Sequence, residues 1–121
     1  MKDNRPLTIF CDIDGTLVEH AHPCDAQKPK HKMKPLPGTI DKIEEWDRKG
    51  YYIILVTGRK ESMRHVTKKQ LEEVGIIYDQ LIMGISGGKR FLINDNKPFN
   101  SERTAIGITV KRNKGIADIE V

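Results

Sequence analysis

Short apolar runs alternate along the chain with stretches of helical periodicity. Leu7-Thr8-Ile9-Phe10-Cys11 is a compact apolar run that stops at Asp12, the signature of a buried strand. The next apolar run, Tyr51-Tyr52-Ile53-Ile54-Leu55-Val56, stops at Thr57-Gly58-Arg59. Between them, Ile40, Ile43 and Trp46 recur at helical spacing, with Thr39 placed as the N-cap and Gly50 as the stop. A second helix is predicted from about Glu61. Met63, Val66, Gln70, Leu71 and Val74 lie on one face of it, and Gly75 ends it. Tyr78 to Met83 predicts a third strand, Phe91-Leu92-Ile93 a fourth ending at Asn94-Asp95-Asn96, and Thr104 to Val110 a fifth, with 111–121 as a tail. Residues 15–37 contain Pro23, Pro29, Pro35 and Pro37, which predicts a loop or flap without a helix, centred on 17–36.

Strand, helix, strand, helix, strand implies a parallel sheet with helices on its faces, an α/β fold of three-layer, Rossmann-like type. The 121 residues suit one domain, 1–121, with no boundary or internal repeat. In such sheets the polar residues just past the strand C-termini gather on one edge. Asp12, Asp14, Thr57 and Asp95 are therefore expected to converge.

Composition narrows the field. The hydrophobic share of 37% and charged share of 31% are those of a soluble chain. No apolar run approaches the roughly 20 residues that span a bilayer, so no membrane role is expected. The N-terminus lacks the features of a signal peptide, which makes the cytoplasm the default and leaves Cys11 and Cys24 as thiols. The net charge of +4 is uneven, with Lys28, Lys30, Lys32 and Lys34 crowded in the flap. A basic surface attracts anions such as phosphate esters. No aromatic residues interleave with these lysines, which weighs against nucleic acid. His20-Ala21-His22-Pro23-Cys24 invites a zinc reading, but a structural zinc needs four ligands and only one such cluster is present.

Two carboxylates at i and i+2 past a buried strand repel each other, and a cation relieves that repulsion. Oxygen ligands without histidine favour a hard ion such as magnesium, Mg2+. Asp12 could then attack phosphorus, while Asp14 protonates the leaving oxygen and later deprotonates water. Gly15 permits the sharp turn.

Asp12-Ile13-Asp14-Gly15-Thr16 resembles the first motif of the haloacid dehalogenase superfamily. Val56-Thr57-Gly58-Arg59 resembles the second, Gly88-Lys89-Arg90 the third and Leu92-Ile93-Asn94-Asp95 the fourth, all in the family's order. The resemblance implies that Thr57 hydrogen-bonds the transferring phosphoryl group. It implies that Lys89 offsets phosphate charge, with Arg90 and Lys97 as alternatives. Asp95 would join Asp12 and Asp14 as a metal ligand. Gly58 and Arg59 are read as substrate-binding, with a surface ion pair as the alternative for Arg59. The spacing between motifs leaves room for no cap domain, only the flap.

The resemblance implies a magnesium-dependent phosphomonoesterase with an aspartyl-phosphate intermediate, acting on a small phosphorylated metabolite such as a sugar phosphate. The alternatives are a phosphatase for nucleic-acid 3′ ends or nucleotides, and a non-catalytic phosphate-binding module. An open site also leaves room for self-association, a second copy covering the site from water.

Overall fold

The computed structural model describes residues 3–98 and 102–121. Three strands form one open parallel sheet in the order β1 (Thr8–Asp12), β2 (Tyr52–Val56), β3 (Gln80–Ile82). The register sets Asp12 beside Val56, and Val56 beside Ile82. All three strands thus end together. Helices α2 (Thr39–Arg48) and α3 (Arg64–Val74) make the crossovers, and a 3₁₀ turn at Glu61–Met63 leads into α3. The described residues form a Rossmann-like α/β core without a cap domain.

Both long helices end as their glycines predict. Gly50 and Gly75 adopt left-handed backbones. Around Gly75, Gly75 N–H bonds Glu72 O at 3.1 Å and Ile76 N–H bonds Leu71 O at 3.0 Å, the paired bonds of a Schellman cap. Gly50 and Tyr51 repeat the pattern on Asp47 and Trp46. The start of α2 differs from expectation. Gly38 is the N-cap, and the Thr39 hydroxyl, fully buried, donates to Leu17 O at 2.6 Å. That bond ties the helix to the chain just past the first strand, a long-range partner that local capping rules do not anticipate.

The core lies on one face of the sheet. Cys11, Ile53, Leu55 and Leu81 meet Ile43 and Trp46 of α2 and Leu71 of α3. Phe10, Tyr52 and Ile82 point to the other face and are exposed. Two of the three expected layers are thus formed by the described elements. The predicted fourth and fifth strands are not strands: 91–93 and 104–110 run as irregular chain. Phe91 and Ile93 are 84% and 92% exposed. Arg90 lies against Asp12 at the end of β1. The segment that follows pairs with no strand among the described residues. A three-residue apolar run carries little register information of its own.

The flap is not wholly irregular. Pro23–Ala26 forms a short helix, α1, whose Ala26 is buried. Pro23 starts it, where its missing N–H costs nothing, and His22 Nδ1 accepts from Cys24 N–H at 3.1 Å. The flap's base is pinned by Glu19 N–H to Lys34 O and Leu36 N–H to Leu17 O, each 2.9 Å. No helix among the described residues is long and apolar enough to cross a membrane.

Candidate active site

Asp12 is the last residue of β1 and Thr57 the first after β2, so neighbouring strand ends deliver both to one edge. The chain then coils tightly around one carbonyl. Thr16, Leu17 and Val18 all direct their N–H groups to Ile13 O, at 3.2, 2.9 and 3.2 Å. Gly15, at φ 84°, makes the turn, and Arg112 stands where a side chain at that position would go. Thr16 Oγ1 donates to Asp12 Oδ2 at 3.3 Å. Asp12 remains one-third exposed on the wall of a cavity of about 790 Å³, which lies between β1 and the 88–92 and 106–110 segments.

Asp14 turns inward. Arg59 Nε donates to its Oδ2 and Nη2 to its Oδ1, each at 2.8 Å, a bidentate fork. Arg59 is neither a surface ion pair nor open to substrate: its side chain is 5% exposed. Its Nη1 donates to Thr67 Oγ1 and Gln70 Oε1 at 3.1 and 2.8 Å. Thr57, 2% exposed, accepts the Arg59 backbone N–H on its hydroxyl at 3.1 Å, which shapes the turn that carries the arginine inward. Gly58 is exposed in the same turn, where a side chain would make only ordinary contact with Ile85 O.

The cation at Asp12 is Arg90, whose Nη1 lies 3.3 Å from Asp12 Oδ1, and Lys89 is exposed beside it. Asp95 is not brought to the site. It is 75% exposed and paired to Lys97 at 3.2 Å, and Thr104 Oγ1 donates to its carbonyl at 2.5 Å. The segment that carries it forms no strand beside β1, so nothing delivers Asp95 to the edge where Asp12 and Thr57 meet.

Magnesium asks for several free carboxylate or carbonyl oxygens around one point. Both Asp14 carboxylate oxygens accept from Arg59, Asp12 is shared with Arg90, and Asp95 lies elsewhere. No group of three His, Cys, Asp or Glu side chains among the described residues could hold a metal ion. The three acids do not fit a preformed magnesium site, and the flap histidines and Cys24 do not form a zinc site. Both cysteines are free thiols.

One contributor lies in the segment read from sequence as a tail. Asn113 N–H donates to Gly15 O at 2.8 Å and Asn113 Oδ1 accepts His20 N–H at 2.8 Å. Further on, Ile116 is buried, its N–H bonded to Pro37 O at 3.0 Å. The Asn113-Lys114-Gly115 sequence is a turn signal that could have pointed to this.

An acidic pair past the first strand of an open parallel sheet, with a threonine past the second, defines an α/β protein of haloacid dehalogenase-like fold. The chain belongs to the family described as PITM 1-3, LNS2 domain, whose model matches residues 9–94. No match was found among curated proteins. Among solved structures it is similar to a chain of the Pnkp1/Rnl/Hen1 RNA repair complex, at 26% identity and a TM-score of 0.56 over 74% of this chain and 30% of that one. It is also similar to a structural-genomics target from Vibrio cholerae, at 20% identity and a TM-score of 0.52 over 73% of this chain and 79% of that one. The latter likeness concerns the fold alone. The chain spans about a third of the length of the repair-complex chains it matches.

Proposed function

We propose that the chain is a capless phosphomonoester hydrolase in which Asp12 is the nucleophile. The observation that supports this most directly is the placement of Asp12, at the end of β1 beside Thr57 and on the wall of the cavity. An Asp12 carboxylate oxygen would attack phosphorus as the ester P–O bond breaks. Asp14 would give a proton to the leaving oxygen, then take one from the water that cleaves the aspartyl phosphate and frees inorganic phosphate. Arg90 would offset charge on the phosphoryl oxygens, and Lys89 stands next to it. One of the two Arg59 contacts to Asp14 would have to open for Asp14 to carry that proton. Small phosphorylated metabolites, sugar phosphates first, are the preferred substrates.

The magnesium requirement rests on the acidic sequence pattern alone, and no step above depends on it. Turnover of p-nitrophenyl phosphate with and without EDTA tests it. Loss on chelation and recovery with magnesium is the expected result, and full activity in EDTA overturns the requirement. The nucleophile is tested by acid quench: Asp12→Asn should accumulate no phosphoenzyme, and a phosphoenzyme in that variant rules Asp12 out.

A second reading, hydrolysis at nucleic-acid ends, is favoured by the 26% identity to a chain of an RNA repair complex. A site without a cap would admit a large substrate.

A further inference from the structure

Gln70 on α3 is 2% exposed, and its carboxamide works in two directions. The oxygen accepts from Arg59 Nη1 at 2.8 Å, and the nitrogen donates to Ala26 O, in the flap helix α1, at 2.8 Å. The reversed amide would set an NH₂ against the guanidinium and an oxygen against a carbonyl, so only this orientation satisfies both neighbours. On its other edge the same guanidinium holds both oxygens of Asp14. A continuous buried path therefore runs from the flap through Gln70 and Arg59 to the second carboxylate of the Asp-x-Asp pair.

The guanidinium is planar and rigid, so a shift at one edge is transmitted to the other. The flap's base is fixed by its two backbone bonds to Lys34 and Leu17. Beyond the base, Ala26 is held by Gln70, and Lys32 forms an exposed ion pair with Glu73 at 2.7 Å. Exposed pairs of that kind contribute little. The flap is joined to the interior by the buried side chains of Met33 and Ala26 and by the Gln70–Ala26 amide bond, and the amide bond is the one that leads on to Arg59 and Asp14.

We propose that Gln70 is a positioning residue that couples the position of the flap to the orientation of the Asp14 carboxylate. A leaving group that displaces α1 would move Ala26 O, and through Gln70 and Arg59 would re-aim Asp14. The catalytic consequence rests on the hydrolase reading above; the mechanical coupling does not.

The test uses the whole chain with Gln70→Leu, Gln70→Glu and Asp14→Asn. Gln70→Glu keeps an acceptor for Arg59 and loses the donor to Ala26. Turnover is measured on p-nitrophenyl phosphate and on an unactivated alkyl phosphate. Backbone hydrogen exchange is followed at Gln27 and Lys28. Gln70→Leu should lower kcat on the alkyl phosphate by about tenfold with KM little changed, and by less than about threefold on p-nitrophenyl phosphate, which needs little help in leaving. Flap exchange should quicken in both Gln70 variants and in Asp14→Asn. Equal losses on both substrates, with flap exchange as in the wild type, overturn the coupling and leave Gln70 a packing residue. A leaving-group split in Asp14→Asn without one in either Gln70 variant also overturns it. No split in Asp14→Asn counts against the hydrolase reading instead, and the exchange measurement then decides the coupling alone. If Gln70→Leu does not fold, Gln70→Glu carries the same criteria.

Discussion

Asn113 clasps the loop that holds the acidic pair: its N–H meets Gly15 O at 2.8 Å, and its side-chain oxygen takes His20 N–H at 2.8 Å. Its φ of 63° is in the left-handed region, which asparagine adopts more readily than most side chains. Asn113→Ala puts a residue that disfavours this region there and loses the side-chain bond, and should destabilise by about 2 kcal/mol. Asn113→Gly adopts the same backbone freely and loses the same bond, so about 1 kcal/mol is expected. Urea unfolding of the two variants checks the order, and a glycine variant less stable than the alanine variant would contradict it.

The basic residue that meets the substrate is open to a direct comparison. Arg90 Nη1 stands 3.3 Å from Asp12 Oδ1, while Lys89 is exposed beside it. Arg90→Ala should raise KM for a phosphate ester by about tenfold, the loss of one charge-assisted contact. Lys89→Ala should change it by less than about threefold. Steady-state kinetics on p-nitrophenyl phosphate decides between them. A larger effect at Lys89 would restore the assignment that the Gly88-Lys89-Arg90 motif suggests.

Much of the frame was legible in the sequence because each signal was local. The runs ending at Asp12 and Val56 became β1 and β2, and Gly50 and Gly75 stopped their helices through backbone bonds that a left-handed residue permits. The meeting of Asp12 with Thr57 followed from parallel order alone. What escaped was set by distant partners. Nothing near Arg59 in sequence announces that Asp14, Thr67 and Gln70 will bury it, and local signals fit a surface pair or a substrate contact equally well. Thr39 read as a cap because Leu17 O, its partner, lies far back in the chain. Phe91-Leu92-Ile93 has a strand's composition, but a strand also needs a partner, and this run pairs with none of the three strands of the sheet.

The two thiols should differ in their reactivity. Cys11 is buried in the sheet core, and burial, helped by the adjacent Asp12 charge, pushes its thiol up to about 12. Cys24 is exposed in α1. Iodoacetamide at pH 8.5 should label Cys24 and spare Cys11 until the protein unfolds. The sign for stability follows from the raised value. The unfolded thiol ionises near its ordinary 9.0 while the folded one stays protonated, so the contribution is intact below pH 9 and is lost as pH rises toward 12. Mass spectrometry of the labelled protein checks the first point. Labelling of Cys11 in the native protein at a rate comparable to Cys24 would refute it.

The flap lysines bear on the choice between a small substrate and a nucleic-acid end. Lys28 is paired with Asp25 at 3.1 Å and Lys32 with Glu73 at 2.7 Å, so two of the four positive charges are already partly answered within the chain. Lys30 and Lys34 are exposed. If these lysines only steer a small anion, their effect is a modest one on association that salt screens over a Debye length of about 10 Å at 0.1 M. If instead several of them track a phosphate backbone, log affinity should fall with log salt by about 0.7 per phosphate contacted on a single strand. Replacing all four with alanine and measuring KM against salt separates the two cases, using a sugar phosphate and a 3′-phosphorylated oligonucleotide. The expected result is less than about a threefold change on the sugar phosphate, and no useful turnover of the oligonucleotide by either protein. Efficient oligonucleotide turnover with a steep salt slope, abolished in the alanine variant, would reverse the ranking. The likeness to the RNA repair chain would then extend to the choice of substrate.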